Sequence, residues 1–185
     1  LSSFVTPPVP PMRITFDSRM QPSGPVLTRR MSDLRGLFAD TAAWEQGLAE
    51  DPVVYEVASS PVPEAEGELP QSITTIHPGR VGGEFHMTKG HIHPRPRGEI
   101  YLGLSGVGGL LLFDGDKPEW IPMEPGSIGY IPPGWAHRSV NTGDEPYRFL
   151  AVYPGDAGHD YEWVLRNGMG YRVLGGADGP DLRPF

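Results

Sequence analysis

The sequence contains no cysteine. That absence removes disulfides, thiolate metal sites and a cysteine nucleophile, so any bound metal must take nitrogen and oxygen ligands. Basic residues are also outnumbered. The 15 Lys and Arg face 23 Asp and Glu, and the resulting formal net charge of -8 gives neither nucleic acid nor an anionic membrane a net attraction. Long apolar runs are missing as well: residues 100–113 carry no charge, but glycines interrupt them and they fall short of the ~20 residues a membrane span needs. The first thirteen residues lack both a basic start and a continuous apolar region, so they do not read as a secretory signal, and the cytoplasm is the expected location. What remains is a chain of 185 residues with 38% hydrophobic content, enough for one core.

Proline and glycine are plentiful and divide the chain. Six prolines among the first 25 residues remove backbone donors, and residues 1–29 are expected to form a proline-rich arm, with residues 30–185 a single domain. Two short helices are expected next, one capped by Ser32 over residues 32–38 and one capped by Asp40 over residues 41–49, where Trp44 and Leu48 share a face. Asp51-Pro52 ends helical structure. After it come short β-rich runs separated by turn residues, at 53–58, 72–77, 99–104, 109–113, 119–123, 128–132, 137–141 and 147–153. This spacing predicts an all-β antiparallel sandwich or barrel. "GVGG" at 106–109 has no following helix or lysine and reads as a hairpin turn.

Chemistry concentrates in "TKGHIHPRPRGEIYLGLSGVGG", residues 88–109. His91 and His93 lie two apart, and on a strand two such side chains point to one face. Glu99 follows after five residues. A second stretch, "EPGSIGYIPPGWAHRSVN" at 124–141, adds His137. Three imidazoles and a carboxylate hold a divalent first-row metal with positions left open for substrate, and Fe, Mn, Ni and Zn all accept that set. Each histidine alone would more readily be a surface or packing residue. Together they point to a metal.

These two stretches resemble the paired motifs of the cupins. Gly126, Pro132, Gly134, His137 and Asn141 match the second, and His91, His93, Glu99 and Gly106 match the first. The resemblance implies a jelly-roll β-barrel. Longer blocks, at 51–57, 72–93, 99–112 and 151–161, narrow it: from about residue 30 to residue 161 the chain is similar to the cupin-type glucose-6-phosphate isomerase family, whose loop between the second His and the Glu is one residue longer. That family implies a homodimer with one divalent ion per subunit, Fe2+ first among Fe2+, Zn2+, Mn2+ and Ni2+, held by His91, His93, Glu99 and His137. By position, Thr75, Thr88, Gly90 and Tyr153 would hold the phosphate of a phosphorylated hexose, and Tyr101, His159 and Tyr161 would line the sugar end. Without the family, Tyr153 and Tyr161 read as core aromatics.

Aldose–ketose isomerisation moves a proton between C2 and C1. Glu99 is the carboxylate placed for that transfer through a cis-enediol, with a hydride shift as the alternative, and His159 suits ring opening. Lys89, Arg95 and Arg97 could steer an anion, although a solvated loop face explains the two arginines better. Two other readings share the ligand set: a cupin dioxygenase or decarboxylase, and a non-catalytic phosphosugar-binding cupin.

Overall fold

β-Branched and aromatic residues that alternate with polar ones favour extended, half-buried backbone, and from Val53 onward the chain realises that preference strand by strand. The computed structural model describes residues 9–185. A small hairpin, β1 (Arg13–Ile14) with β2 (Met20–Gln21), precedes β3 (Val26–Arg30). A 3-10 turn at Met31–Leu34 and helix α1 (Thr41–Gly47) follow. Next come β4 (Val53–Ser59), β5 (Gln71–Ile76), β6 (Arg80–Val81), β7 (Glu84–Phe85), β8 (Glu99–Ser105), β9 (Gly108–Phe113), β10 (Pro118–Met123), β11 (Ile128–Ile131), β12 (Ala136–Asn141) and β13 (Tyr147–Val152). Helix α2 (Tyr161–Asn167), β14 (Tyr171–Gly175) and β15 (Pro180–Pro184) complete the chain.

The strands form a six-stranded antiparallel sheet in the order β11-β8-β13-β5-β4-β3 and a three-stranded one in the order β10-β9-β12. Between them lies the core, with Leu110, Ile131, Tyr147 and Phe149 almost wholly out of solvent. This is the all-β cupin arrangement. Among the described residues no ladder joins the two sheets, so the expected barrel is a pair of open sheets facing each other. For the same reason residues 106–107 do not close a hairpin. β8 pairs with β11 and β13 while β9 pairs with β10 and β12, and the turn carries the chain from one sheet to the other.

All six residues of β9 are buried, because the outer face of its sheet is covered by the C-terminal segment. Trp163 of α2 packs on Phe113 at 6.1 Å between ring centroids, and Val164, Met169 and Val173 join the same core. Truncating Leu111 to Ala here would cost about 2–5 kcal/mol.

The last part of the expected arm, residues 1–29, is built into the fold. Pro7 and Pro8 lie outside the described residues, but β3 pairs with β4 along the sheet edge, so the chain enters the sheet before residue 30. The expected Ser32-capped helix is only the 3-10 turn. Asp33 accepts a hydrogen bond from the Arg30 N–H, while the N–H and hydroxyl of Ser32 both donate to Asp51, and Ser32 lies inside the turn, whose N-cap is Arg30. Helix α1 starts where expected, with Asp40 Oδ1 accepting from the Ala43 N–H at 2.9 Å and Trp44 buried.

Candidate active site

Residues 87–92 run beside β12. Met87 bridges to Val140, and His91 and His137 exchange both backbone hydrogen bonds, at 3.1 and 2.9 Å. The pairing sets the two imidazoles 4.2 Å apart between centroids, and His93 joins them at 5.1 Å from His91, as the two-residue strand period requires. Glu99 arrives from the opposite sheet at the start of β8. Its Oε2 lies 3.1 Å from His93 Nε2 and 3.0 Å from His137 Nε2. One donor atom from each of the four residues lies within 4.8 Å of all the others.

Backbone geometry fixes these side chains. Gly90 sits at φ +76, and a Cβ there would come within 3.0 Å of the His137 carbonyl, so a larger residue would push the paired segment away. The loop at 94–98 is tied down from outside: Asp156 accepts from Arg95 Nη1 at 2.7 Å and from Arg97 Nε and Nη2 at 3.0 and 2.7 Å. The two arginines are therefore committed to Asp156 rather than merely solvated, and their hydrogen bonds, that of Arg97 first, hold its carboxyl well below the usual range. Asn141, the last residue of the second motif, is fully buried away from the ligands. Its amide donates to the carbonyls of Ile76 and Glu145, so its work is to clamp β12.

The cluster has the chemistry of a cation site. His93 Nδ1 lies 2.7 Å from the Gly158 carbonyl, which can only accept, so the ring proton sits there and Nε2 presents a lone pair to Glu99. Nε2 of His91 and of His137 are buried without a hydrogen-bond partner; the His137 contact with Glu99 has the distance of a bond but not its direction. Lone pairs gathered around a carboxylate oxygen fit a shared cation. Burial, and then the other histidines, drive the pKa of His91 well below normal. When a proton in place of a metal ion fills the space between His93 Nε2 and Glu99 Oε2, burial opposes both charges but the hydrogen bond it makes helps to outweigh that, raising the histidine and lowering the glutamate.

A cavity of about 270 Å3 opens on this cluster. Its walls include His91, Glu99, His137, Tyr101, Thr88, Gly90, Tyr153, His159 and Tyr161, while His93 lies buried behind them. His159 is 4.5 Å from the His91 ring and stacks on Tyr161 at 6.1 Å with 12° between planes. Burial lowers the pKa of His159 and raises those of Tyr101, Tyr153 and Tyr161.

Thr75 is not in this cavity. Successive residues of a strand face opposite ways, and on β5 it is Ser72 and Thr74 that point inward, whereas Thr75 faces a separate space with Glu56, His77 and Arg148. Both Ile73 and Ile76 are buried, on opposite faces, so the apolar pattern of "SITTI" does not say which threonine points in. Two further groups escaped the sequence reading. Tyr55 on β4 lines the cavity, with its pKa pushed up to about 12 chiefly by burial. Glu64, in what reads as a plain polar loop, accepts a hydrogen bond from the Tyr153 hydroxyl at 2.8 Å. The apolar residues of β4 signalled a strand through Tyr55, but nothing local signals Glu64.

Comparison with known proteins places this geometry. The family model described as glucose-6-phosphate isomerase matches residues 28–181. The chain is 50% identical over 163 residues to a glucose-6-phosphate isomerase of Thermococcus kodakarensis, covering 87% of this chain and 86% of that one. It is 46% identical over 166 residues to a protein of the same name from Pyrococcus abyssi, covering 88% of both. A putative glucose-6-phosphate isomerase 2 of Rhizobium meliloti is 40% identical over 158 residues, covering 80% of this chain and 78% of that one. The chain belongs to the cupin-type glucose-6-phosphate isomerase family.

Proposed function

We propose that this protein interconverts glucose 6-phosphate and fructose 6-phosphate with one divalent ion, Fe2+ first among the candidates, held by His91, His93, Glu99 and His137. The observation that carries the reading is the union, in one cavity, of a three-imidazole, one-carboxylate cluster with an end walled by neutral donors. When bound, such an ion would polarise the substrate oxygens at C1 and C2 as a Lewis acid.

The protein's own groups supply the rest. Glu99 Oε2 faces the two imidazoles, leaving the other oxygen for substrate. Its lowered pKa keeps it ionised, so it takes the proton from C2 and returns it at C1 through a cis-enediol, while a hydroxyl proton passes from the oxygen at C2 to the oxygen at C1. His159, held neutral by burial, accepts the hydroxyl proton that must move when the sugar ring opens. The hydroxyls of Thr74, Thr88 and Tyr153 and the N–H of Gly90 are the donors that suit a phosphate. Thr74 takes the role expected of Thr75. A dioxygenase acting on an apolar substrate would have little use for that end.

The homodimer belongs to the same proposal. On the outer face of the six-stranded sheet, Ile100 and Tyr130 sit opposite each other in register and, with Ile128, are each about half exposed or more, an apolar strip suited to a second copy. No helix of the described residues is long and apolar enough to cross a membrane, and a cytoplasmic location fits the substrate.

The test is conversion of fructose 6-phosphate by the purified protein before and after chelation, with single metals added back. Turnover lost on chelation and restored by one ion supports the reading. Metal-loaded protein without turnover, or one that consumes oxygen instead, defeats it.

A further inference from the structure

The end of the cavity suited to a phosphate has donors but no countercharge. Among the residues lining it there is no lysine or arginine, while Glu64 and Glu99 both face the same space. A phosphate monoester carries about two negative charges near neutral pH, and placing it there beside two carboxylates would be costly without a cation.

Cations lie immediately beyond. A second cavity, lined in part by Arg29 and Lys89, shares Tyr161 with the first. Lys89 sits in the chain between Thr88 and Gly90, which both line the main cavity, and its backbone N–H lies 3.5 Å from the Tyr55 hydroxyl. Arg29, on β3, stands opposite Tyr55 in the β3–β4 register, and Tyr55 too lines the main cavity. Its charge acts on the hydroxyls of both Tyr55 and Tyr161, opposing the burial that raises their pKa values.

These two charges are not consumed elsewhere. Arg29 Nε is buried with no hydrogen-bond partner, and the ion pair of Arg29 with Asp33 is stretched to 4.0 Å. Lys89 forms no ion pair among the described residues; Asp33 and Glu162 are the acidic groups that act on it, and Arg29 the basic one. Arg35 borders the same space but places its guanidinium over Trp44. Behind the loop, the buried Arg138 donates twice to the Lys89 carbonyl, which fixes the backbone that carries Lys89.

We infer that Arg29 and Lys89 form the cationic end of the substrate site and take the charge of the sugar phosphate, with Tyr55 and Tyr161 at the boundary between the two cavities. This assigns two substrate-positioning residues and deepens the isomerase reading, on which it rests. An arginine and a lysine divide the task sensibly: the guanidinium offers a planar fork and the ammonium a compact point charge.

The experiment measures KM and kcat for fructose 6-phosphate, and the inhibition constant of inorganic phosphate, in the metal-loaded wild type, Arg29→Gln, Arg29→Lys and Lys89→Met. The expected result is a rise of about tenfold or more in both KM and the phosphate inhibition constant for Arg29→Gln and Lys89→Met, as loss of a charge-assisted contact requires. kcat should fall far less than KM rises, and Arg29→Lys should recover part of the loss. Circular dichroism identifies any variant that fails to fold, and Lys89→Met keeps the inference testable if Arg29→Gln does so. KM and phosphate inhibition within about twofold of wild type in folded variants, against effects of about tenfold expected from a lost charge, overturn the inference while leaving an active isomerase. A wild type without turnover instead overturns the isomerase reading and the inference with it.

Discussion

The two ends of the cavity are built on different principles. At the histidine end every group is set by backbone: His91 and His137 by their shared backbone pairing, His93 by the Gly158 carbonyl, and Glu99 by its place at the start of β8, with Oε2 between two imidazoles. At the other end, Thr74, Thr88, Tyr55 and Tyr153 present neutral hydroxyls from separate elements. A reacting centre gains from fixed geometry because small displacements there are expensive in rate. A charged group distant from the reaction needs only to be held, a task that donors on separate elements can share. The difference predicts that substitutions at the first end act on kcat and those at the second on KM.

Four substitutions can break or sharpen that contrast. Glu99→Gln should have the largest effect, a fall of about a thousandfold in kcat, from the loss of the proton-transfer group; metal analysis of the same variant shows how much of the fall is lost ion. His159→Gln should lower kcat by about ten- to a hundredfold, with metal content unchanged. Comparing the α-anomer with the β-anomer of glucose 6-phosphate in stopped flow would show whether ring opening has become limiting. Thr74→Val should leave kcat near its original value and raise KM by up to about tenfold, the range for one deleted hydrogen bond. Thr75→Val should change neither constant by more than about twofold, since its side chain faces away from the main cavity. A KM effect at Thr75 and none at Thr74 would reverse the assignment on β5.

Much of this was legible in the sequence, for identifiable reasons. Strands β4, β5 and β8 to β13 follow alternating or β-branched runs bounded by Gly and Pro, and their observed ends fall within one residue of the expected ones. His91, His93, Glu99 and His137 came together because a two-residue period and a motif spacing constrain them directly. What escaped depended on tertiary context. Thr74 was hidden by buried isoleucines on both faces of its strand. Helix α2 has its end signals in the sequence, with Asp160 accepting from the Trp163 N–H, Glu162 in the first turn and Gly168 at the end, but its seven residues are too few for a 3.6-residue period to stand out. The short strands β6 and β7, two residues each, are too brief for any periodicity to declare.

His137 belongs to the three-stranded sheet and Glu99 to the six-stranded sheet, with no backbone ladder between the two sheets. A cation gripped by both would therefore be a rivet across the sandwich, in a chain that has no cysteine with which to make another. Its occupancy then couples the folding equilibrium to the free metal concentration: an ion at a hundred times its dissociation constant adds about 2.7 kcal/mol to the stability of the folded state. Starvation for the metal would then be felt twice, as an emptied reaction centre and as a looser fold around it.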